Sequence, residues 1–195
     1  MDEELLFRFI LILIYGIFTG VRIFYRSQEL GQTFEQEYFR KTKAIILLIV
    51  AILGYFLFLI VWIIFPQMII VFQFNFPSIL RLFGAIVAAF SIFLTAWIHH
   101  TLGSQYSAKW RIRKGHQLII TGPYSRVRHP MYAILNLFSI SVSIITANVL
   151  IIFFAFSVAI PFFWIARTEE KFLIDLFGEE YLEYMKNTGR FFPRF

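Results

Sequence analysis

Of the 195 residues, 59% are hydrophobic and 15% are charged, against about 25% charged in an ordinary soluble domain. There is no cysteine, which excludes disulfides, thiolate metal sites and thiol nucleophiles. The net charge of +6 comes without any aromatic-basic nucleic-acid module, so it points to anionic lipid and basic loops rather than to nucleic acid.

The chain opens Met1-Asp2-Glu3-Glu4, acidic where a cleavable signal peptide would be basic, so the first apolar run is expected to be a permanent span. That run, Leu5 to Tyr25, is broken only by Arg8 and Arg22 near its ends, where long side chains can snorkel. Its Gly16 and Gly20 make a Gly-x-x-x-Gly, a pattern frequent by chance and given little weight. Ser27 to Lys43 is polar and ends in the anchor Arg40-Lys41-Thr42-Lys43. Ala44 to Phe65 carries no charge and is the clearest span; Pro66 to Ser78 is uncharged with two prolines and reads as an interfacial turn. Ile79 to Thr101 is the third span, with Arg81 at its outer edge and His99-His100 at its inner edge. Adjacent helical residues point about 100° apart, so these two histidines are read as interfacial and no metal is assigned.

Leu102 to Pro130 is a long basic loop. Met131 to Ala147 and Val149 to Ile165, each about seventeen residues, meet at Asn148 as a tight helical hairpin, either a thin pair of spans or a re-entrant one. Arg167 to Phe195 interleaves Glu169, Glu170, Asp175 and Glu179 with Phe172, Leu173, Leu176 and Tyr181, an amphipathic pattern that reads as an interfacial helix. The expected class is an all-α integral membrane protein of about five transmembrane helices. Residues 1–101 form a three-span part, and 102–195 the part that carries chemistry.

Lys and Arg number four in 26–43, six in 102–130 and five in 166–195, and none in 1–4, 66–78 or at Asn148. In a five-span chain the rich segments share one face. The positive-inside rule then sets the N-terminus outside and the loop and tail in the cytosol, at the cell membrane of a prokaryote or the endoplasmic reticulum of a eukaryote.

The densest chemistry is Gly122-Pro123-Tyr124-Ser125-Arg126-Val127-Arg128-His129-Pro130-Met131-Tyr132. Gly122-Pro123 punctuates a turn, and Pro130 suits the first position of the helix that follows. The helix N-terminus, with unpaired N–H groups, therefore opens beside Arg128 and His129, where an anion is stabilised. No Gly-x-Gly-x-x-Gly or strand pattern offers a nucleotide-binding sheet.

With Gly115-His116-Gln117-Leu118-Ile119 before it, and Arg167-Thr168-Glu169-Glu170, Phe177-Gly178-Glu179-Glu180-Tyr181 and Gly189-Arg190-Phe191-Phe192-Pro193 after it, this stretch resembles the isoprenylcysteine carboxyl methyltransferase family and its wider phospholipid-methyltransferase relatives. The resemblance runs from about Leu102 to the C-terminus. It implies a membrane enzyme using S-adenosyl-L-methionine, releasing S-adenosyl-L-homocysteine, with its pocket between the basic loop and the tail. Position by position, it implies cofactor contacts at His116, Gln117, Leu118, Ile119, Tyr124, Arg128, His129, Pro130, Met131, Tyr132 and Glu169. Arg128 and His129 suit the cofactor's carboxylate, Glu169 its ammonium, and Tyr124 and Tyr132 its cationic centre or adenine. Several members carry a substrate-facing Arg where this chain has Ile165; Arg167, two residues on, is the candidate to aim the acceptor, with Arg167 and Glu169 as the catalytic pair.

The acceptor so implied is the α-carboxylate of a C-terminal isoprenylated cysteine or a similar lipophilic carboxylate, reached from the bilayer. An ionised carboxylate needs no base. Phosphatidylethanolamine N-methylation shares the motifs but must remove a proton, for which Glu170 or His129 is available. A non-catalytic membrane scaffold or small transporter is the third reading, disfavoured by the scarcity of charge between the helix ends.

Overall fold

The computed structural model describes residues 3–28, 36–37, 43–103, 111–112 and 117–194. Its helices are α1 (Glu3–Ser27), α2 (Lys43–Ile64), α3 (Ser78–Leu102), α4 (Pro130–Thr146), α5 (Val149–Ser157), α6 (Ala159–Phe177) and α7 (Glu179–Asn187). Helices α1, α2, α3 and the nearly continuous α5–α6 are each long and apolar enough to cross a membrane, and α4 is a shorter apolar helix. Large apolar side chains such as Leu13, Leu53, Ile86 and Phe93 lie exposed on them, as a lipid-facing surface requires. The protein is a multi-pass, all-α membrane protein. Its one described strand pair, β1 (Gln36–Glu37) against β2 (Arg111–Ile112), is a two-residue antiparallel ladder that ties the two long polar segments together.

One buried cluster draws on every span: Phe7, Leu11 and Ile14 of α1, Tyr55, Leu59 and Trp62 of α2, Ala88 and Ile92 of α3, Phe138, Val142 and Ile145 of α4, Ile151 and Ala155 of α5. Helices α3 and α4 approach so closely that a Cβ at Gly84 would lie 2.9 Å from the Ser141 carbonyl oxygen. The buried face of α4 is rich in hydroxyls, yet Ser139, Ser141, Ser143 and Thr146 each donate to a carbonyl three or four residues back. None of those hydroxyls is left unbonded in a low-dielectric interior.

At the end of α3 where the sequence places it, beside the N-terminus of α1, Arg81 is buried. It donates to Ile145 O at 2.8 Å and to both Glu4 oxygens at 2.5 and 3.1 Å, with its guanidinium 3.9 Å from the Phe7 ring centre. The uncharged turn after α2 is a 3-10 helix, Pro66–Phe72, folded against the bundle. Trp62 donates to Gln73, Gln73 to Thr146 O, and Asn148 to Ile69 O.

The hairpin turns where the sequence places it. Ala147 takes the left-handed conformation (φ 49°), and the Asn148 side chain accepts from Leu150 N and caps α5. Its second arm does not stop at Ile165, however. The helix is interrupted only at Val158, where Pro161 lacks the N–H that would reach Ser157 O, and then runs on to Phe177. Arg167 to Phe177 are therefore the last turns of the hairpin, not the start of a separate interfacial helix. No breaker separates them from the span, and Thr168 to Phe177 are mostly good helix formers. After α7 the chain turns back beside residues 126–129.

Candidate functional site

The site begins at Gly122, which holds φ 57° and opens a 3-10 turn over Gly122–Ser125. A Cβ there would lie 2.9 Å from Thr101 Oγ1, so the turn rests on the end of α3. Val127 then pairs in parallel with Gly189: Arg128 N donates to Gly189 O (2.8 Å), His129 N to Arg190 O (2.9 Å), and Gly189 N to Arg126 O (3.0 Å). Glycine is required at 189 because the Phe192 carbonyl occupies the place of its Cβ. Tyr184 of α7 donates to Tyr124 O at 2.6 Å. The tail and the motif are thus one folded unit, which delivers His129 as the cap of α4 with Pro130 at its first position.

Glu170 of α6 is the buried centre of this unit. It accepts from Arg128 Nε (2.9 Å) and from Arg190 Nε (3.0 Å) and Nη2 (2.6 Å). Arg128 Nη1 donates in addition to Met185 O and to the carbonyl of Thr188. A buried ion pair is sustained when its remaining donors are satisfied in this way.

Glu169, one residue earlier, projects elsewhere and is half-buried. It accepts from Tyr132 Oη at 3.1 Å, and His129 Nδ1 lies 3.4 Å from the same oxygen. His129 Nε2 is 3.4 Å from Glu170 Oε1 yet is buried without an aligned hydrogen bond. Burial opposes charging of this imidazole, but Glu169 and Glu170 outweigh it and hold its pKa above the ordinary value. Tyr132 is sandwiched between His129 (centroids 5.6 Å, 10°) and Phe162 (4.9 Å, 20°).

The structure brings Tyr132, His129 and Glu169 together, with Pro130 and Met131 in the same helix turn and Tyr124 tied to α7. Arg128 faces Glu170, with two of its three nitrogens engaged inside the protein. Gln117 is exposed and Leu118 and Ile119 are half-buried on the approach to Gly122; His116 lies outside the described residues. Arg167 stands apart from Glu169: it is exposed above the Phe163 ring (5.7 Å), which Arg190 also flanks (5.4 Å). Ile165 is fully buried with Leu48, Ala51, Val158 and Phe162.

His99, in the last turn of α3, faces into the bundle. It is buried, stacked on Tyr25 (4.8 Å, 7°), and Arg22 Nη1 donates to its Nε2 at 3.2 Å; only His100 is exposed. Arg22 therefore turns inward instead of snorkelling, and the same nitrogen lies 3.7 Å from Met131 Sδ. Glu170 as a structural anchor, Arg190 and Arg22 escape residue-by-residue reading, although Arg190 lies inside the Gly189-to-Pro193 block. Among the described residues no group of three or more His, Asp or Glu is placed to hold a metal ion.

The sequence matches the family described as phospholipid methyltransferase over residues 79–180. It is 39% identical over 87 residues to a cobalt-zinc-cadmium resistance protein of Cupriavidus metallidurans, covering 42% of this chain and 38% of that protein. It is 36% identical over 93 residues to the protein-S-isoprenylcysteine O-methyltransferase of Saccharomyces cerevisiae, covering 46% of this chain and 39% of that protein. The chain thus matches under half the length of either curated relative.

Proposed function

This chain belongs to the phospholipid methyltransferase family, and from that premise we propose that it is an S-adenosyl-L-methionine-dependent methyltransferase acting on the carboxylate of an isoprenylated cysteine or a similar lipophilic carboxylate. The donor set suits the cofactor's zwitterionic end. Glu169 offers a half-exposed carboxylate for an ammonium, and His129 Nε2 is a buried donor without an aligned partner. The N–H groups of Met131 and Tyr132 open the first turn of α4 and suit a carboxylate. Tyr124 and the Gln117–Ile119 segment are assigned to the nucleoside. When bound, the cofactor supplies a methyl group on a sulfonium and leaves as S-adenosyl-L-homocysteine.

The rest is positioning. Glu170 fixes the tail to the α4 entry through Arg128 and Arg190, so that Glu169, Tyr132 and His129 are held before any ligand arrives. The surrounding spans keep water from the transfer. Arg167, exposed at the edge of the hairpin, draws anionic head groups toward the site.

One observation favours a carboxylate acceptor over an amine. An amine must lose a proton, and the two bases available for that are both engaged: Glu170 with two guanidiniums, and His129 between Glu169 and Glu170, which favour its charged form. An ionised carboxylate needs neither. The test is transfer of labelled methyl to N-acetyl-S-farnesylcysteine and, in parallel, to phosphatidylethanolamine. Label recovered as alkali-labile ester supports the proposal. Label in the ethanolamine lipid alone replaces it with N-methylation, and label in neither returns the scaffold reading.

A further inference from the structure

Of the arginines on the spans, Arg8 of α1 stands over the Trp62 ring (5.7 Å), while Arg81 and Arg22 are held in very different ways. Arg81 has a carboxylate, a carbonyl and an aromatic face. Arg22, half-buried on α1, donates to a neutral imidazole nitrogen and faces a thioether, a weak acceptor; among the described residues it has no carboxylate. Guanidinium has only donors, so His99 must accept through Nε2 and carries its own proton on Nδ1. A cation so placed inside a span is costly and marks a site by default. The cost is raised further by the neighbouring N-terminus of α4, whose partial positive charge lies beside Met131. Both features favour an anion.

The same face of α1 continues into the bilayer as an aromatic bed. Phe18, one turn from Arg22, stacks on Phe138 (4.0 Å, 13°), and Tyr15 meets Phe18, Phe56 and Phe138 edge-on. Helix α1 packs chiefly on α3 and α4 and α2 on α5 and α6; the two spans touch at Tyr15–Tyr55 and where Arg8 stands over Trp62. An amphiphile with an anionic head and an apolar chain matches this order of groups.

We propose that Arg22, supported by His99, is the acceptor-binding cation, seating the oxyanion of a lipid acceptor at the Arg22 end of α1. This rests on the methyltransferase reading and names its head-group site. Carboxylate and phosphodiester share the required chemistry.

The experiment uses the full chain in detergent and three probes: N-acetyl-S-farnesylcysteine, its methyl ester, which lacks only the charge, and phosphatidylethanolamine. The wild type should bind the acid at least tenfold more tightly than the ester. Arg22→Gln should abolish that preference and raise the acceptor KM roughly tenfold, with S-adenosyl-L-methionine affinity within twofold as proof of a folded site; Arg22→Lys should fall between. If the Arg22-dependent binding is seen with phosphatidylethanolamine instead, the site stands and its source is the phosphodiester. A folded Arg22→Gln or Arg22→Lys that keeps the full acid-over-ester preference overturns the proposal while leaving the activity intact. A wild type that transfers no methyl yet keeps Arg22-dependent anion binding refutes the reading and retains the site.

Discussion

Glu169 and Glu170 are adjacent, chemically identical and close to the same histidine, yet their surroundings differ, and exchanging each for Gln separates the roles proposed for them. Glu170→Gln removes the one carboxylate bonded to Arg128 among the described residues; the Arg128 side chain is only 8% exposed, while Arg190, at 28%, can turn outward. Removing one partner of a buried pair costs about 3–5 kcal/mol. Partial relief through Arg190 and the retained amide oxygen puts this case near the lower bound, about 3 kcal/mol. For a chain of this size that corresponds to a fall in Tm of roughly 6–12 °C. Glu169→Gln breaks a half-exposed contact with Tyr132 and His129 worth about 1 kcal/mol, or roughly 2–4 °C. Its cost should appear in cofactor affinity, at about tenfold or more for a lost charge-assisted hydrogen bond. Melting in detergent and calorimetric titration with S-adenosyl-L-methionine read both quantities on the same samples. A control, Glu183→Gln at the exposed pair with Lys186, should change neither. If Glu170→Gln melts within about 1 °C of the wild type, the anchoring role is wrong. If it is Glu170 and not Glu169 whose loss weakens cofactor binding without destabilising, the two roles have been assigned in reverse.

Other outcomes follow from the same geometry. The folded-state pKa of His129 is raised above its unfolded value, so its stabilisation is complete below about pH 6.5 and is lost as pH rises through the folded value. Melting temperature should therefore fall on the alkaline side, and His129→Gln should flatten that limb; an unchanged limb would place the imidazole outside the titration. Gly189→Ala forces a methyl group into the Phe192 carbonyl, so the 126–129 pairing should loosen and cofactor affinity drop at least tenfold, measured by the same titration. Because the chain has no Cys, single cysteines at exposed Asn75 and Thr121 report sidedness: each should react with an impermeant maleimide from one side only, and from opposite sides. Labelling of both from one side would falsify the five-pass arrangement.

The span pattern was legible because uncharged runs of about twenty residues have few other fates, and the hairpin because Asn148 interrupts the longest of them. The α6 boundary was not. Composition changes sharply at Arg167, but helix propensity does not, so the helix outlasts the apolar stretch and carries Glu169 and Glu170 with it. Tyr132, His129 and Glu169 could be grouped from motif order. The commitment of Glu170 to Arg128 and Arg190 could not, since three residues from α6, the basic loop and the last turn of the tail meet only through tertiary pairing. Arg22 and His99 were hidden for a related reason. Snorkelling and interfacial placement are the default fates of such residues, and only the packing of α1 on α3 decides otherwise.

Arg81 carries a consequence for how the protein is made. Its guanidinium needs Glu4 from a helix that leaves the ribosome before it and the Ile145 carbonyl from one that leaves after it. When α3 reaches the bilayer, the carboxylate partner of Arg81 is at hand only if α1 is already alongside, and the guanidinium remains short of one acceptor until α4 arrives. Assembly is ordered by that debt. A Glu4→Gln chain should be held longer at the insertion machinery, or degraded there, even where its mature fold tolerates the change.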